Sequence, residues 1–143
     1  MANGRNDPLP NFNFLIEIDG ITQGGFTDCS GLGATTEPVE INEGGFNSAS
    51  RKFVGRTKQN NLTLKWGLTL SHELYDWYRD TVNGKIQRKD GSIVVLDLEG
   101  KERARWNFFR AWPTKWTGPD LTAKGNDVGV ETLELAHEGL VRG

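Results

Sequence analysis

An alternation of apolar and polar residues predicts a chain built mainly from β-strands. Residues 12–18 and 61–66 place every second side chain, starting from Phe12 and from Leu62, on one apolar face. A period of two residues is typical of a strand that buries only one of its sides. Further strands are expected at 21–29, 36–42, 92–98, 102–108 and about 127–137.

Three places in these strands predict irregular features. Asp19-Gly20 is typical of a tight hairpin turn, which would join the first two strands. Pro113 cannot donate a backbone hydrogen bond, so it should end its ladder or lie on a sheet edge, with 114–126 as a loop. The last strand places apolar residues on opposite sides in its two halves, and a β-bulge near 131–132 would reconcile them.

One segment follows a helical period instead. Leu74 and Trp77 begin a series of apolar residues spaced three or four apart. Ser71 is a suitable N-cap and Gly84 a suitable C-terminal stop, so a helix is expected over roughly 71–82. Its aromatic stripe is interpreted as core, because an amphipathic helix must bury one face.

The segment 43–60 has weak periodicity and is predicted to be a long loop. It combines two glycines, small polar residues and basic charge with Phe46, Phe53 and Val54. Loops of this length in compact domains are usually either disordered or functional. The apolar side chains argue against disorder, so an interaction loop is the preferred interpretation.

Together these elements predict a mainly β fold in one domain, 1–143, with an N-terminal arm at 1–11. The expected architecture is a β-barrel or sandwich of about seven strands, with one flanking α-helix near 71–82 and the long loop near 43–60. A sheet of this size must hide its edges, which closure or sandwich packing achieves.

Charge is unevenly distributed in a chain whose net charge is only −2. Three glutamates lie just before the predicted loop, at Glu37, Glu40 and Glu43. Five basic residues and no acidic one follow between 44 and 71: Arg51, Lys52, Arg56, Lys58 and Lys65. This is either an ordinary mixed surface or two complementary patches that meet between subunits. The small net charge predicts neither nucleic acid nor a membrane as partner.

The residues that carry chemistry are few and scattered. Cys29 is the only cysteine and therefore cannot form an intrachain disulfide. His72 and His137 are the only histidines, and no metal-ligand spacing or nucleophile motif accompanies them. No apolar run approaches the length needed to cross a bilayer. The sequence thus predicts a non-enzymatic protein without cofactor or metal.

Tryptophans are concentrated near the end of the chain, where three of the five lie between 106 and 116. The phase of the strands and helix places Trp66, Trp77 and Trp106 in the core. The phase does not decide whether Trp112 and Trp116 lie in the core or on the surface. One alternative function is a monomeric module that binds carbohydrate or single-stranded nucleic acid through these two rings and the basic loop. Another is a small hydrolase whose site is not readable in sequence.

The order of short motifs along residues 7–140 resembles the tail tube proteins of contractile phage tails and extracellular contractile injection systems. The type VI secretion tube subunit is similar. The motifs are Asn11 to Gly20, Gly25-Phe26, Cys29 to Leu32, Glu43 to Gly45, Arg51-Lys52, Asn61 to Lys65, Leu74 to Trp77, Arg105 to Asn107, Ala111 to Pro113, Gly118 to Leu121 and Glu131 to Leu135.

The resemblance implies a structural subunit of an inner tube, made of stacked homohexameric rings around a conduit for a cargo protein or DNA. Sheath contraction would drive the tube through a target membrane, without stable membrane insertion. Implied partners are sheath subunits, the baseplate and tube-terminating proteins. Assembly would take place in the cytoplasm of the producing bacterium, as part of a virion tail or an injection particle.

The resemblance also implies that the segment after the third strand reaches a neighbouring ring. The expected subunit interface comprises Glu43, Gly44, Gly45, Phe46, Arg51, Lys52, Phe53, Val54, Trp112 and Trp116. Arg103, Arg105 and Asn107, opposite the apolar face of their hairpin, are candidates for either the lumen or a subunit contact.

Overall fold

The computed structural model describes residues 13–42, 50–125 and 129–143, which contain nine strands and one helix. The predicted arm at 1–11 and residues 43–46 of the expected interface lie outside this part of the chain. The elements are β1 (Phe14–Ile18), β2 (Phe26–Ser30), β3 (Ala34–Asn42), β4 (Ser50–Gln59), β5 (Leu62–Gly67), α1 (Glu73–Val82), β6 (Lys89–Leu96), β7 (Glu102–Thr117), β8 (Val130–Ala136) and β9 (Gly139–Arg142). The prediction of a mainly β fold with one helix is confirmed.

The main body is an antiparallel sheet that bends at β7 and thereby forms two four-stranded halves. The first half of β7 pairs with β6 and β9, and β6 pairs with β1. The second half of β7 pairs with β8, which pairs with β5, which pairs with β2. Strands β3 and β4 pair only with each other and form a separate two-stranded sheet.

One core lies between the two halves. Phe108 and Ile93 contribute from the first half, and Leu64, Trp66 and Leu133 from the second. Helix α1 adds Leu74 and Trp77 to the same cluster. The alternation that predicted β1 and β5 therefore reports their buried faces correctly.

The bend in β7 has a local cause at Arg110. This residue has a φ of 54°, and its backbone N–H donates to Asp90 Oδ1 at 2.8 Å. Its side chain also contacts Glu138, with Nε 2.6 Å from Oε2. A non-glycine residue in the left-handed region is uncommon and needs such support. The left-handed conformation of Arg110 lets β7 pair with strands in both halves of the sheet.

Helix α1 begins later than the sequence predicts. His72, not Ser71, is the N-cap residue, and no side chain caps the helix there. The Ser71 hydroxyl instead donates to Gln23 Oε1 at 3.3 Å. Thr22, outside the helix, holds its first residue: the Glu73 carboxylate accepts from the Thr22 hydroxyl at 2.6 Å. The predicted end at Gly84 is confirmed by its φ of 87°.

The predicted loop at 43–60 is wrong over its second half, because β4 occupies 50–59. The predicted hairpin at Asp19-Gly20 is reduced to one isolated bridge between Ile18 and Ile21. The second strand does not pair with the first but leaves to pair with β5.

The loop predicted at 114–126 begins only after Thr117. Pairing with β6 ends at Ala111. Pro113 still faces Leu135 of β8, and the β7–β8 register shifts directly after it, between Pro113 and Lys115.

The bulge predicted near 131–132 does not occur, because β8 pairs with β5 in continuous register. Glu131, Leu133 and Leu135 all point inward, and Val130 points outward. The apparent change of phase arises because the first inward residue is a carboxylate. Its buried Oε2 accepts from the Trp66 indole N–H at 2.9 Å.

Within the described residues, no helix is both long and apolar enough to cross a membrane.

Candidate assembly surface

Strands β3 and β4 form a projecting ribbon, defined here as residues 34–42 and 50–59. Ala34 pairs with Gln59 at its base and Asn42 with Ser50 at its far end. None of the other described elements packs extensively against it. An isolated two-stranded sheet is only marginally stable in water, so contacts from another surface would stabilise this ribbon.

The ribbon carries apolar side chains that its own fold does not bury. Val39 pairs with Phe53, and Ile41 lies on the same face. These three side chains are each close to half exposed, and Val54, on the other face, is 87% exposed. Exposed apolar groups in a cluster mark an interaction site more often than single ones do.

The charges singled out in the sequence face one another across the ribbon. Glu40 pairs with Lys52, whose Nζ lies 3.8 Å from the carboxylate Oε1. Arg51 also has an interaction partner. The acidic and basic segments therefore neutralise each other partly within one subunit. One pair of the complementary charges, Glu40 and Lys52, therefore meets within the subunit rather than between subunits.

The base of the ribbon is fixed tightly to the body. Gly31 has a φ of 93°, and a Cβ there would lie 2.0 Å from the Asn61 carbonyl oxygen. Asn60 N–H donates to the Gly33 carbonyl at 3.0 Å. The buried His137 ring lies between the Asn60 and Gly139 carbonyls, at 2.9 and 3.1 Å. The ribbon thus projects in a defined direction.

Each half of the body has two outer strands, and in the second half both outer edges are open. Strand β2 pairs on one side with β5, and residues 112–117 of β7 pair on one side with β8. Among the described residues, no further strand covers either edge. Open edges are templates for pairing with another chain. These two lie at opposite sides of one four-stranded half, the β2-β5-β8-β7 sheet.

The outer face of the β2-β5-β8-β7 sheet is polar. Its shallow depression of about 300 Å³ is lined by Thr63, Lys65, Lys115, Thr117, Thr132 and Glu134. Large apolar side chains are missing from this lining. The face therefore suits contact with water or a hydrated molecule better than a dry interface.

Trp112 and Trp116, which the sequence pattern assigned to neither core nor surface, are partly buried. Trp112 pairs with Ala136 of β8. Trp116 packs edge-on against Tyr75 of α1, with ring centroids 4.8 Å apart. The Trp116 ring is therefore not the free aromatic platform that carbohydrate or single-stranded nucleic acid needs.

Three residues predicted for the lumen or a contact are held within the subunit. Arg103 Nε donates to Asp97 at 2.8 Å, and Arg105 is paired with Glu102. Asn107 accepts from the Ser92 hydroxyl at 2.6 Å. Trp106, predicted to be core, is only partly buried and stacks with the Arg142 guanidinium at 5.2 Å from the ring centroid.

Cys29 and His72 are two of the few residues whose side chains could carry chemistry, and their surroundings are as follows. Burial raises the pKa of the Cys29 thiol to about 11, which suppresses the reactive thiolate. His72 contacts Asp76 on the surface of α1, with Nδ1 2.7 Å from Oδ2. In the described segments, no three acidic, histidine or cysteine side chains are grouped so that they could hold a metal ion.

The chain matches the family of the T4-like virus tail tube protein gp19 over residues 10–141. It belongs to that family. The match spans nearly the whole chain and includes both the ribbon and the two open edges. The protein is therefore a tube subunit of a contractile tail, and its role is structural and not enzymatic.

Solved structures show the same fold. A chain of the extended sheath-tube complex of an extracellular contractile injection system, PVC, is 26% identical, with a TM-score of 0.85 over 96% of this chain and 93% of its own. A chain of the anti-feeding prophage baseplate is 24% identical, with a TM-score of 0.83 over 96% and 97%. Hcp1 from Flavobacterium johnsoniae is 16% identical, with a TM-score of 0.61 over 92% and 95%. No curated protein sequence matches the chain.

Proposed function

We propose that six copies of this tube subunit close into a ring, and that the rings stack into a tube whose lumen conducts a cargo protein or DNA. A contracting sheath would drive this tube through a target membrane. Family membership and the two open edges of the β2-β5-β8-β7 sheet support the ring. The projecting ribbon supports the stacking.

The open edges can satisfy each other between copies. The edge of β2 on one copy and residues 112–117 on the next are different surfaces, so their pairing is head-to-tail. Head-to-tail contacts generate a closed ring when the rotation between copies closes. Backbone hydrogen bonds would then continue the four-stranded sheet around the ring, and neither edge would stay exposed.

The polar face of that sheet suits the inside of the ring. The other half-sheet and α1 pack on the opposite, core-facing side of this sheet and make that side the bulkier one. In a ring, the bulky side fits outside, where the circumference is larger. The lumen would then be lined by Thr63, Lys65, Lys115, Thr117, Thr132 and Glu134. Two lysines against one glutamate make this lining polar and only weakly basic.

The ribbon is the part of the subunit best suited to reach a neighbouring ring. Its base is rigid, its apolar side chains are incompletely buried, and it stands apart from the body. Phe53 and Val54 of the expected interface belong to this contact, as do Arg51 and Lys52.

The named partners of similar chains guide the remaining assignments. These chains come from a sheath-tube complex, a baseplate and a tube-terminating cap. We infer a sheath, a baseplate and a terminating protein as partners of this tube, within a virion tail or an injection particle assembled in the bacterial cytoplasm.

Electron microscopy and sedimentation of the purified protein test this function. Rings or tubes of hexameric cross-section are expected as concentration rises. Deletion of 46–54 should give rings that do not stack, whereas Ile86→Ser, an exposed apolar change away from the ribbon, should stack normally. A protein that stays monomeric at high concentration contradicts the proposal, and normal tubes from the deletion contradict the role of the ribbon.

A further inference from the structure

Among the described residues, the outward face of the β2-β5-β8-β7 sheet carries one charged side chain on each of its four strands. Asp28 lies on β2, Lys65 on β5, Glu134 on β8 and Lys115 on β7. In the spatial order of the strands, the signs alternate from negative to positive, twice over. The first and last members of this series, Asp28 and Lys115, lie on the two open edges and have opposite signs.

The register of the strands makes each charge a neighbour of the next one. Asp28 is directly opposite Lys65, and Glu134 is directly opposite Lys115. Lys65 and Glu134 are diagonal neighbours, because the pairing of β5 with β8 places each of them opposite a threonine. Long side chains on one face can reach both a direct and a diagonal partner. A direct step therefore alternates with a diagonal step across the sheet.

The two edge charges have a neighbouring strand on one side only. Both side chains are exposed, and neither Asp28 nor Lys115 forms an ion pair within the described part of the chain. Opposite charges on neighbouring strands stabilise their pairing, and like charges oppose it. When the β2 edge of one copy continues the sheet from the β7 edge of another, each of these two charges gains the other as its missing neighbour.

Only some registers of the joined edges bring the two charges together. The three ladders that separate β2 from β7 are all antiparallel, so the two edges also run antiparallel to each other. In the register that extends the existing rows of side chains, Lys115 is opposite Ser30 and diagonal to Asp28. A shift by two residues makes Lys115 and Asp28 direct partners. A shift by one residue puts them on opposite faces of the sheet.

We propose that Lys115 of one copy and Asp28 of the next form an ion pair at every junction of the ring, and that this pair selects the register in which β7 receives β2. This inference rests on the proposed function and names the side chains that distinguish a correct junction from a slipped one. A single exposed ion pair contributes little to stability. Reversal of one charge, however, replaces attraction by repulsion at all junctions at once, and such repulsion excludes a wrong partner effectively.

Charge reversal followed by mixing tests the pair. Lys115→Asp alone and Asp28→Lys alone each place like charges at every junction, so ring formation should need a concentration at least about tenfold higher than that of the wild type. In an equimolar mixture, a junction between the two variants again joins one acid to one base. Rings should then form near the wild-type concentration. Native mass spectrometry should find both variants in equal numbers in each ring, because only strict alternation satisfies every junction.

Two controls separate this result from an effect inside the subunit. The reversed charges also meet Lys65 or Glu134 of their own chain, but mixing cannot relieve a contact within one chain. Lys85→Asp makes the same charge change at an exposed position between α1 and β6 and should leave ring formation unchanged. Single variants that form rings like the wild type, or folded variants that mixing does not rescue, would overturn the ion pair.

Zero-length crosslinking measures the contact in the wild-type protein. A water-soluble carbodiimide joins a carboxylate to an amine that touches it. Rings assembled from equal amounts of light and isotopically heavy protein should give heavy-light peptides that join Asp28 to Lys115. A link from Asp28 to Lys65 should occur only within one isotope, because both residues belong to the same chain. Rings without a heavy-light link between Asp28 and Lys115 would overturn the ion pair alone, whereas a wild type that never forms rings would overturn the proposed function with it.

Discussion

The body and the ribbon use the same residue types in opposite ways. Phe108 in the body is completely buried, whereas Phe53 in the ribbon is 48% exposed. Leu64 and Trp66 alternate with polar residues and face one core, but no described element outside the ribbon packs extensively against the strand of Val39. The difference indicates that the body carries the stability of the subunit, whereas the ribbon contributes little to it and suits the proposed assembly.

Matched alanine substitutions test this comparison with the largest expected effect. Phe108→Ala should lower the free energy of unfolding of the subunit by about 3–5 kcal/mol, because it leaves a cavity in the core. Phe53→Ala should lower it by less than about 1 kcal/mol, because its side chain is already half in water. Chemical denaturation at a concentration where both proteins are monomeric measures the two values. Equal losses would remove the distinction between body and ribbon.

The junction between the two regions should be the next most sensitive position. Gly31→Ala places a Cβ against the Asn61 carbonyl at a φ of 93°, so both backbone strain and a clash oppose it. A loss of about 2–4 kcal/mol in the free energy of unfolding is expected.

Gly25→Ala is the matched control for the junction. Its φ of 76° is similar, but no atom lies within 4 Å of the added Cβ. It should lose about 1 kcal/mol, which isolates the strain alone. A Gly31 variant no less stable than the Gly25 variant would show that the ribbon base is not rigid.

Polar contacts should follow the same division between body and ribbon. Glu131→Leu leaves the buried Trp66 indole N–H without its acceptor and should cost about 1–3 kcal/mol of unfolding free energy. Glu131→Gln keeps an acceptor and should cost less. Glu40→Ala removes an exposed ion pair with Lys52 and should change stability by about 0–1 kcal/mol. Thermal melts of the three variants rank them, and a Glu40 effect as large as that of Glu131→Leu would contradict the ranking.

The sequence predicts the body well because strands that bury one face alternate apolar and polar residues. Leu62, Leu64 and Trp66 follow that rule, and β5 was placed to within a residue. The ribbon has no buried face, so β4 lacks the alternation, and polar residues with one glycine mimic a loop. Its pairing with β3 becomes visible only in three dimensions.

Other sequence predictions fail where a polar residue takes a buried position, or where a strand has a neighbouring strand on one side only. Glu131 occupies an inward site of β8, so an apolar scan shifts the phase by one residue and suggests a bulge. Pro113 is tolerated within β7 because that part of the strand is hydrogen-bonded only to β8.

The smallest expected effect concerns pH and the attachment of α1. The pKa of the Glu73 carboxyl is lowered, first by the hydrogen bond from the Thr22 hydroxyl and then by that from the Thr22 N–H. A carboxyl whose folded pKa lies below its unfolded value stabilises the protein above the unfolded pKa. That stabilisation is lost as pH falls through the folded value. Between about pH 5 and 3 the wild-type subunit should therefore lose stability more steeply than Glu73→Gln. Melting temperatures of the two proteins across this range measure the difference. Because Glu73 is exposed, the difference should be small. Parallel curves would show that the hydrogen bond between the Glu73 carboxylate and Thr22 does not hold α1 in place.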